Sequence, residues 1–75
     1  MRYYIYIMFR NGCEGYFTKV EDGVVHYWSV DEPTYNSEHY YATTYDRALS
    51  KAKWLCKTFR CVGRTEIVKK DPRYL

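Results

Sequence analysis

With 75 residues and ten tyrosines, the chain reads as one small domain, able to bury only about 60% of its unfolded surface. Its core must use rings whose hydroxyls need water or a hydrogen-bond partner. No apolar run approaches the roughly 18 residues of a membrane helix and no signal-peptide layout opens the chain, so it reads as a soluble cytoplasmic protein, in host cytoplasm if phage-encoded. Three cysteines, Cys13, Cys56 and Cys61, without a CxxC pair speak against a disulfide framework or a zinc knuckle and fit a reducing compartment.

The net charge of +3 hides a division: residues 1–46 carry three bases against seven acids, a net −4, and residues 47–75 carry nine against two, a net +7. The chain opens "MRYYIYIMFR", a predicted strand with apolar residues on both faces: Tyr3, Ile5, Ile7 and Phe9 on one, Tyr4, Tyr6 and Met8 on the other. Such a strand belongs in the middle of a sheet. "NGCEG" then signals a turn, and "YFTKV" and "VVHYWSV" flank "EDG", whose Asp-Gly pair predicts a hairpin over 16–30. "DEPTYNSE" is an acidic, proline-containing loop leading into "HYYA", which reads as a short strand or an extended approach.

From "TTYDRALSKAKWLCKTFR" the period becomes helical, with Thr43 or Thr44 as N-cap and Thr43 three residues before Asp46, as in a capping box. Tyr45, Ala48, Leu49, Ala52, Leu55, Cys56 and Phe59 form the expected core stripe, Gly63 is expected to end the helix, and Cys61 to fill space at its end. "RTEIVKK" is the last strand, stopped by "DP", with "RYL" as a tail. The predicted fold is α+β: an antiparallel sheet of three to four strands with one helix on one face, in the order β-β-β-(β)-α-β over a single domain, 1–75.

A single helix about 10 to 12 Å across blankets only one side of such a sheet. The other face, with Tyr4, Tyr6 and Met8 looking out of it, must be covered by the loop Asp31–Tyr41 folding back, by a second copy in a homodimer, or by another macromolecule. Tyrosine-rich surfaces suit recognition because each ring gives a large contact area at small entropy cost.

Trp54 is the second anomaly. On the helical wheel it lies off the core stripe, beside Arg47, Ser50, Lys51, Lys57 and Thr58. Either a neighbouring loop or the C-terminal "RYL" packs on it, or it lies flat under lysine stems, or it serves as a contact anchor. The expected partner-binding residues are therefore Tyr4, Tyr6, Tyr27, Trp28, Trp54, Arg47, Lys51 and Lys57. The acids Asp31, Glu32 and Glu38 form a second, acidic surface able to meet a basic channel on another protein. The basic helix face runs on in sequence into Arg64, Lys69, Lys70 and Arg73, which keeps RNA or single-stranded DNA binding as the alternative, although no RNP, KH or zinc-finger signature is present.

His26, His39 and Cys13 lack the spacing of a metal site or a nucleophile–base pair, and there is no Gly-rich phosphate loop, GxSxG or HExxH. No enzyme and no cofactor, metal or membrane partner is expected.

An N-terminal strand, a tight hairpin, an acidic loop, "TTYDRALSKAKWL" and a short final strand together resemble small phage and mobile-element accessory proteins, anti-CRISPR and other anti-defence inhibitors among them. The likeness spans nearly the whole chain and lies in its layout. It implies a non-enzymatic protein that blocks a bacterial defence protein, such as a nuclease complex, by occupying its working surface, often as a dimer. Many such inhibitors are strongly acidic mimics of nucleic acid. This chain is net basic, so whole-surface mimicry does not carry over.

Overall fold

The computed structural model describes residues 1–30 and 40–71. The strands are β1 (Tyr4–Phe9), β2 (Glu14–Glu21), β3 (Val24–Ser29) and β4 (Val62–Val68), with one helix, α1 (Tyr45–Thr58), between the last two. They form one antiparallel sheet in the order β3-β2-β1-β4. The expected α+β architecture is what the chain adopts, and β1, apolar on both faces, sits inside the sheet between β2 and β4.

Local chemistry accounts for the turns. Asp22 and Gly23 both have positive φ, 52° and 74°, the two-residue turn whose twist matches its strands and that Asp-Gly favours. Between β1 and β2 the Asn11 Oδ1 accepts from the Cys13 N–H at 3.0 Å and Gly12 takes φ 93°, so the turn ends early and Glu14 and Gly15 already belong to β2.

Thr44 caps α1, its hydroxyl accepting from the Arg47 N–H at 3.2 Å. With Thr44 in that place, the expected Thr43–Asp46 capping box is not formed; Asp46 instead stands in the first turn, where its charge complements the helix dipole. Gly63 does not end the helix. Phe59 leaves it in an extended conformation (φ −116°, ψ 114°), the Val62 N–H donates to the Phe59 carbonyl, and Gly63 lies within β4. A Cβ there would sit 3.1 Å from the Met8 carbonyl oxygen, beside the irregular β1–β4 register at Met8 and Phe9. The last strand accordingly begins two residues before the expected Arg64.

The core lies between α1 and the sheet. Ile5, Ile7 and Phe9 of β1 meet Phe17, Val25 and Val62 of the other strands and Ala52 and Leu55 of α1. Tyr45 and Cys56, expected in the helical stripe, are exposed. The helix is rotated to centre Leu55, which carries Cys56 about 100° round to the flank, where its Sγ lies 3.6 Å from Thr65 Oγ1. Cys61 is exposed as well, in the turn between Phe59 and Val62 rather than packed at the helix end.

The "HYYA" segment, from Tyr40 onward, is an extended wedge joined to the sheet by a single bridge. The Tyr3 N–H donates to the Ala42 carbonyl and the Ala42 N–H donates back, at 2.8 and 2.9 Å, while the Tyr40 N–H donates to the Phe17 carbonyl at 3.2 Å. The β1–β2 pairing ends at Tyr6–Tyr16, and this segment bonds to both strands beyond that point, with Tyr40 stacked 5.4 Å from Phe17.

Gly15 is buried because the Tyr27 ring occupies the place of its side chain. A Cβ would come within 2.2 Å of the Trp28 carbonyl oxygen and 2.7 Å of Tyr27 Cδ2. Gly15→Ala is therefore expected to push β2 and β3 apart and destabilise the fold by about 1–3 kcal/mol, and Leu55→Ala by about 2–5 kcal/mol. Urea denaturation of the two variants checks both, and a Gly15→Ala midpoint equal to the parent's would contradict the first.

Candidate functional site

The sheet face away from α1 is organised as rows across the strands. Trp28, Tyr16, Tyr6 and Glu66 stand opposite one another from β3 to β4. The rings meet edge-on, Tyr6 to Tyr16 at 5.8 Å and Tyr16 to Trp28 at 6.4 Å between centroids. In the next row Met8 lies between Glu14 and Arg64. The Tyr6 hydroxyl donates to the Glu14 carboxylate, and Arg64 pairs loosely with Glu66 at 3.6 Å between exposed side chains.

Tyr4, expected to look out of this face, and Trp28, expected among the partner-binding residues, are both buried, with exposures of 3% and 4%. Tyr4 packs against the Tyr41 ring at 6.5 Å, itself capped by the Arg2 guanidinium 4.3 Å from its centroid. Tyr16 meets the Trp28 ring edge-on. Tyr6, Met8 and Tyr16 remain half-buried. Tyr27 points to the other side of the sheet, its ring 4.4 Å from Phe9, and is 38% exposed. Asp31, Glu32 and Glu38, the loop in which they lie up to His39, and the tail from 72 onward are outside the described residues.

Trp54 stands on the flank of α1 and is 41% exposed. The Lys51 ammonium lies 4.5 Å from its ring centroid and 6.0 Å from that of Phe17, so the lysine bridges the indole to the core edge. Phe59, leaving the helix, meets the indole edge-on at 5.6 Å and 84°. Beside them a shallow groove of about 430 Å³ is lined by Tyr40, Asp46, Arg47, Ser50, Lys51 and Trp54. Arg47, Lys51 and Trp54 share one flank because they are spaced by four and three residues. Lys57, exposed, follows three residues after Trp54.

Two features escape the sequence. Tyr40 forms one wall of the groove, yet it lies outside the helix and no periodicity ties it to Trp54. The basic run is divided in space: Arg64 stands on the far face of the sheet with Met8, whereas Arg47 and Lys51 line the helix groove. His26 and Cys13 lie on separate elements, in β3 and the β1–β2 turn. No group of three or more potential metal ligands occurs among the described residues. No helix among them is long and apolar enough to cross a membrane.

Comparison with protein-family models, with curated proteins and with solved structures finds nothing that matches this chain.

Among the described residues, three tyrosines titrate above their ordinary range. Burial raises Tyr16 and Tyr40. Tyr6 is pushed from 10.0 up to about 12, first by its hydrogen bond to Glu14, then by burial and by the negative charge of that carboxylate. A phenol whose folded pKa lies above its unfolded value stabilises the fold fully below pH 10 and loses that contribution as pH rises towards 12. The urea midpoint of the parent should therefore fall more steeply across this window than that of Tyr6→Phe. Equal slopes would show that the phenol–carboxylate bond is not made in solution.

Proposed function

We propose that the chain is a non-enzymatic binding module, an inhibitor of the phage type that blocks a bacterial defence protein by occupying its working surface, and that Trp54 anchors it to an acidic patch of that protein. The observation that carries this reading is the exposed indole held between the Lys51 ammonium and the Phe59 ring at the mouth of a groove. A tryptophan pinned by two neighbours loses little side-chain freedom on binding, and a cation–π pair strengthens when a partner removes water from it. Arg47, Lys51 and Lys57 around it supply the charge that steers an acidic surface inward. The inhibitory role comes from the resemblance of the chain's layout to anti-defence proteins.

The same residues serve a nucleic acid poorly. A base stacks on an open aromatic face, and here Lys51 lies over the indole ring while Phe59 meets its edge. Arg64, paired with Met8 on the sheet face away from α1, is separated from the Arg47 and Lys51 that line the groove.

Immobilised parent, Trp54→Ala and Arg47→Glu chains, challenged with bacterial lysate and analysed for protein and nucleic acid, test the reading. The parent should retain an acidic-surfaced protein whose affinity falls at least about tenfold on Trp54→Ala, the loss typical of an anchoring side chain, under conditions where the variant is shown by circular dichroism to be folded. Retention should decline only gently with salt, unlike the steep fall of a phosphate-bound complex. Equal capture by parent and Trp54→Ala, or capture of oligonucleotide alone, would overturn it.

A further inference from the structure

The β4 strand is an edge of the sheet, and the hydrogen bonds of its neighbour fix which of its backbone groups face outward. Along β1 the Phe9 N–H donates to the Cys13 carbonyl on the β2 side, and the Arg10 N–H to the Cys61 carbonyl on the β4 side. Alternation then turns the backbone groups of Tyr6 and Met8 towards β4, where they meet Glu66 and Arg64. Thr65, between those two, accordingly turns its own N–H and carbonyl out of the sheet. Residues Val62–Val68 make their contacts with β1, with α1, within the strand and with the turn before it. Among the described residues nothing pairs with the outer side.

We infer that β4 pairs antiparallel with the β4 of a second copy of this chain, with Thr65 opposite Thr65 on a two-fold axis. Charge selects the register. Arg64 and Glu66 stand on one face of the strand, on either side of Thr65, so this axis sets each Arg64 opposite the partner's Glu66. Centring on Arg64 or Glu66 would face a charge with itself, and centring on Ile67 would put Arg64 against Lys70. Thr65 and its copy exchange both N–H···O bonds, which leaves the Arg64–Glu66 pairs at the positions where facing side chains approach most closely. Charges on an outer strand discourage pairing when they meet their like. Val62–Val68 carries one base and one acid, placed so that the two-fold joins opposites, and the occupant is a second copy because the strand is complementary to itself.

The helices agree with this register. Because α1 lies over β4 and β1, each helix axis runs about one strand spacing from the two-fold, and the two helices come about 10 Å apart, a normal packing distance. The flanks that meet carry Cys56, exposed and with its Sγ 3.6 Å from Thr65 Oγ1, so the two thiols face each other near the axis. Trp54, two residues earlier and about 200° round the helix, stays clear of the contact. The product is one eight-stranded sheet in the order β3-β2-β1-β4-β4-β1-β2-β3. On the face away from the helices, the row Trp28, Tyr16, Tyr6 and Glu66 runs on into the partner's Arg64, Met8 and Glu14.

Sedimentation equilibrium over a concentration series tests this. The parent should dimerise, and Arg64→Glu or Glu66→Arg alone should raise the dissociation constant at least about tenfold. Both side chains are exposed, so each variant keeps its fold, which circular dichroism checks. An equimolar mixture of the two variants should dimerise again, since every introduced charge then meets its opposite across the axis. A short bismaleimide should join chains of the Cys13→Ser/Cys61→Ser variant through Cys56. Trp54→Ala should dimerise like the parent, which separates this result from any failure of partner binding. A parent that stays monomeric at every concentration, or a dimer indifferent to both charge reversals, would overturn the inference. A mixture no tighter than either variant alone, or a dimer that the reagent leaves unjoined at Cys56, would overturn the register.

Discussion

The structure depends on how little of its sheet one helix covers. Four strands spaced about 4.8 Å apart form a layer wider than a helix about 10 Å across, and α1 lies over β4 and β1. The β2–β3 half of the same face is sheltered by rings instead: Tyr40 on Phe17, Tyr27 over Gly15 and against Phe9, and the Lys51 stem reaching across from the helix. The abundance of tyrosine follows from this shortage. A ring covers more surface than any aliphatic side chain, and its hydroxyl can stay wet at the border.

The same shortage explains why the surface is aromatic where it is exposed. Trp54 stands where the flank of the helix meets the edge of the core, too far round the cylinder to be buried. Lys51 and Phe59 hold it in one orientation. On the opposite face, Tyr6 of the Trp28–Tyr16–Tyr6 row donates its hydroxyl to the Glu14 carboxylate of the next row. That pairing keeps the central tyrosine protonated and leaves a more polar face than the strand pattern alone suggests.

Much of the fold was legible because its signals are local. Asp22-Gly23 prescribes a tight hairpin whatever surrounds it, the change from a two-residue to a helical period begins at Thr44, and the two-sided apolarity of β1 demands a central position. The helix boundary at Gly63 was misread for the opposite reason: that glycine answers to the Met8 backbone across the sheet, a neighbour that sequence order does not reveal. Cys56 and Tyr45 were misplaced because a wheel gives the width of an apolar stripe, while the docking of Leu55 decides which edge of it is covered.

By itself the sequence determined one helix, its capping region, the hairpin and the interior place of β1, since turn chemistry and periodicity act over a few residues. Only the tertiary structure decided which rings are hidden. Tyr4 and Trp28 are buried, with Tyr41 and Tyr16 among their ring neighbours, because those meetings depend on strand order and register between residues far apart in the chain, while Trp54 stays at the surface against Lys51 and Phe59. The division of the basic run between two faces was decided there too, since the turn after Phe59 sends β4 back beneath the helix and carries Arg64 to the far side of the sheet.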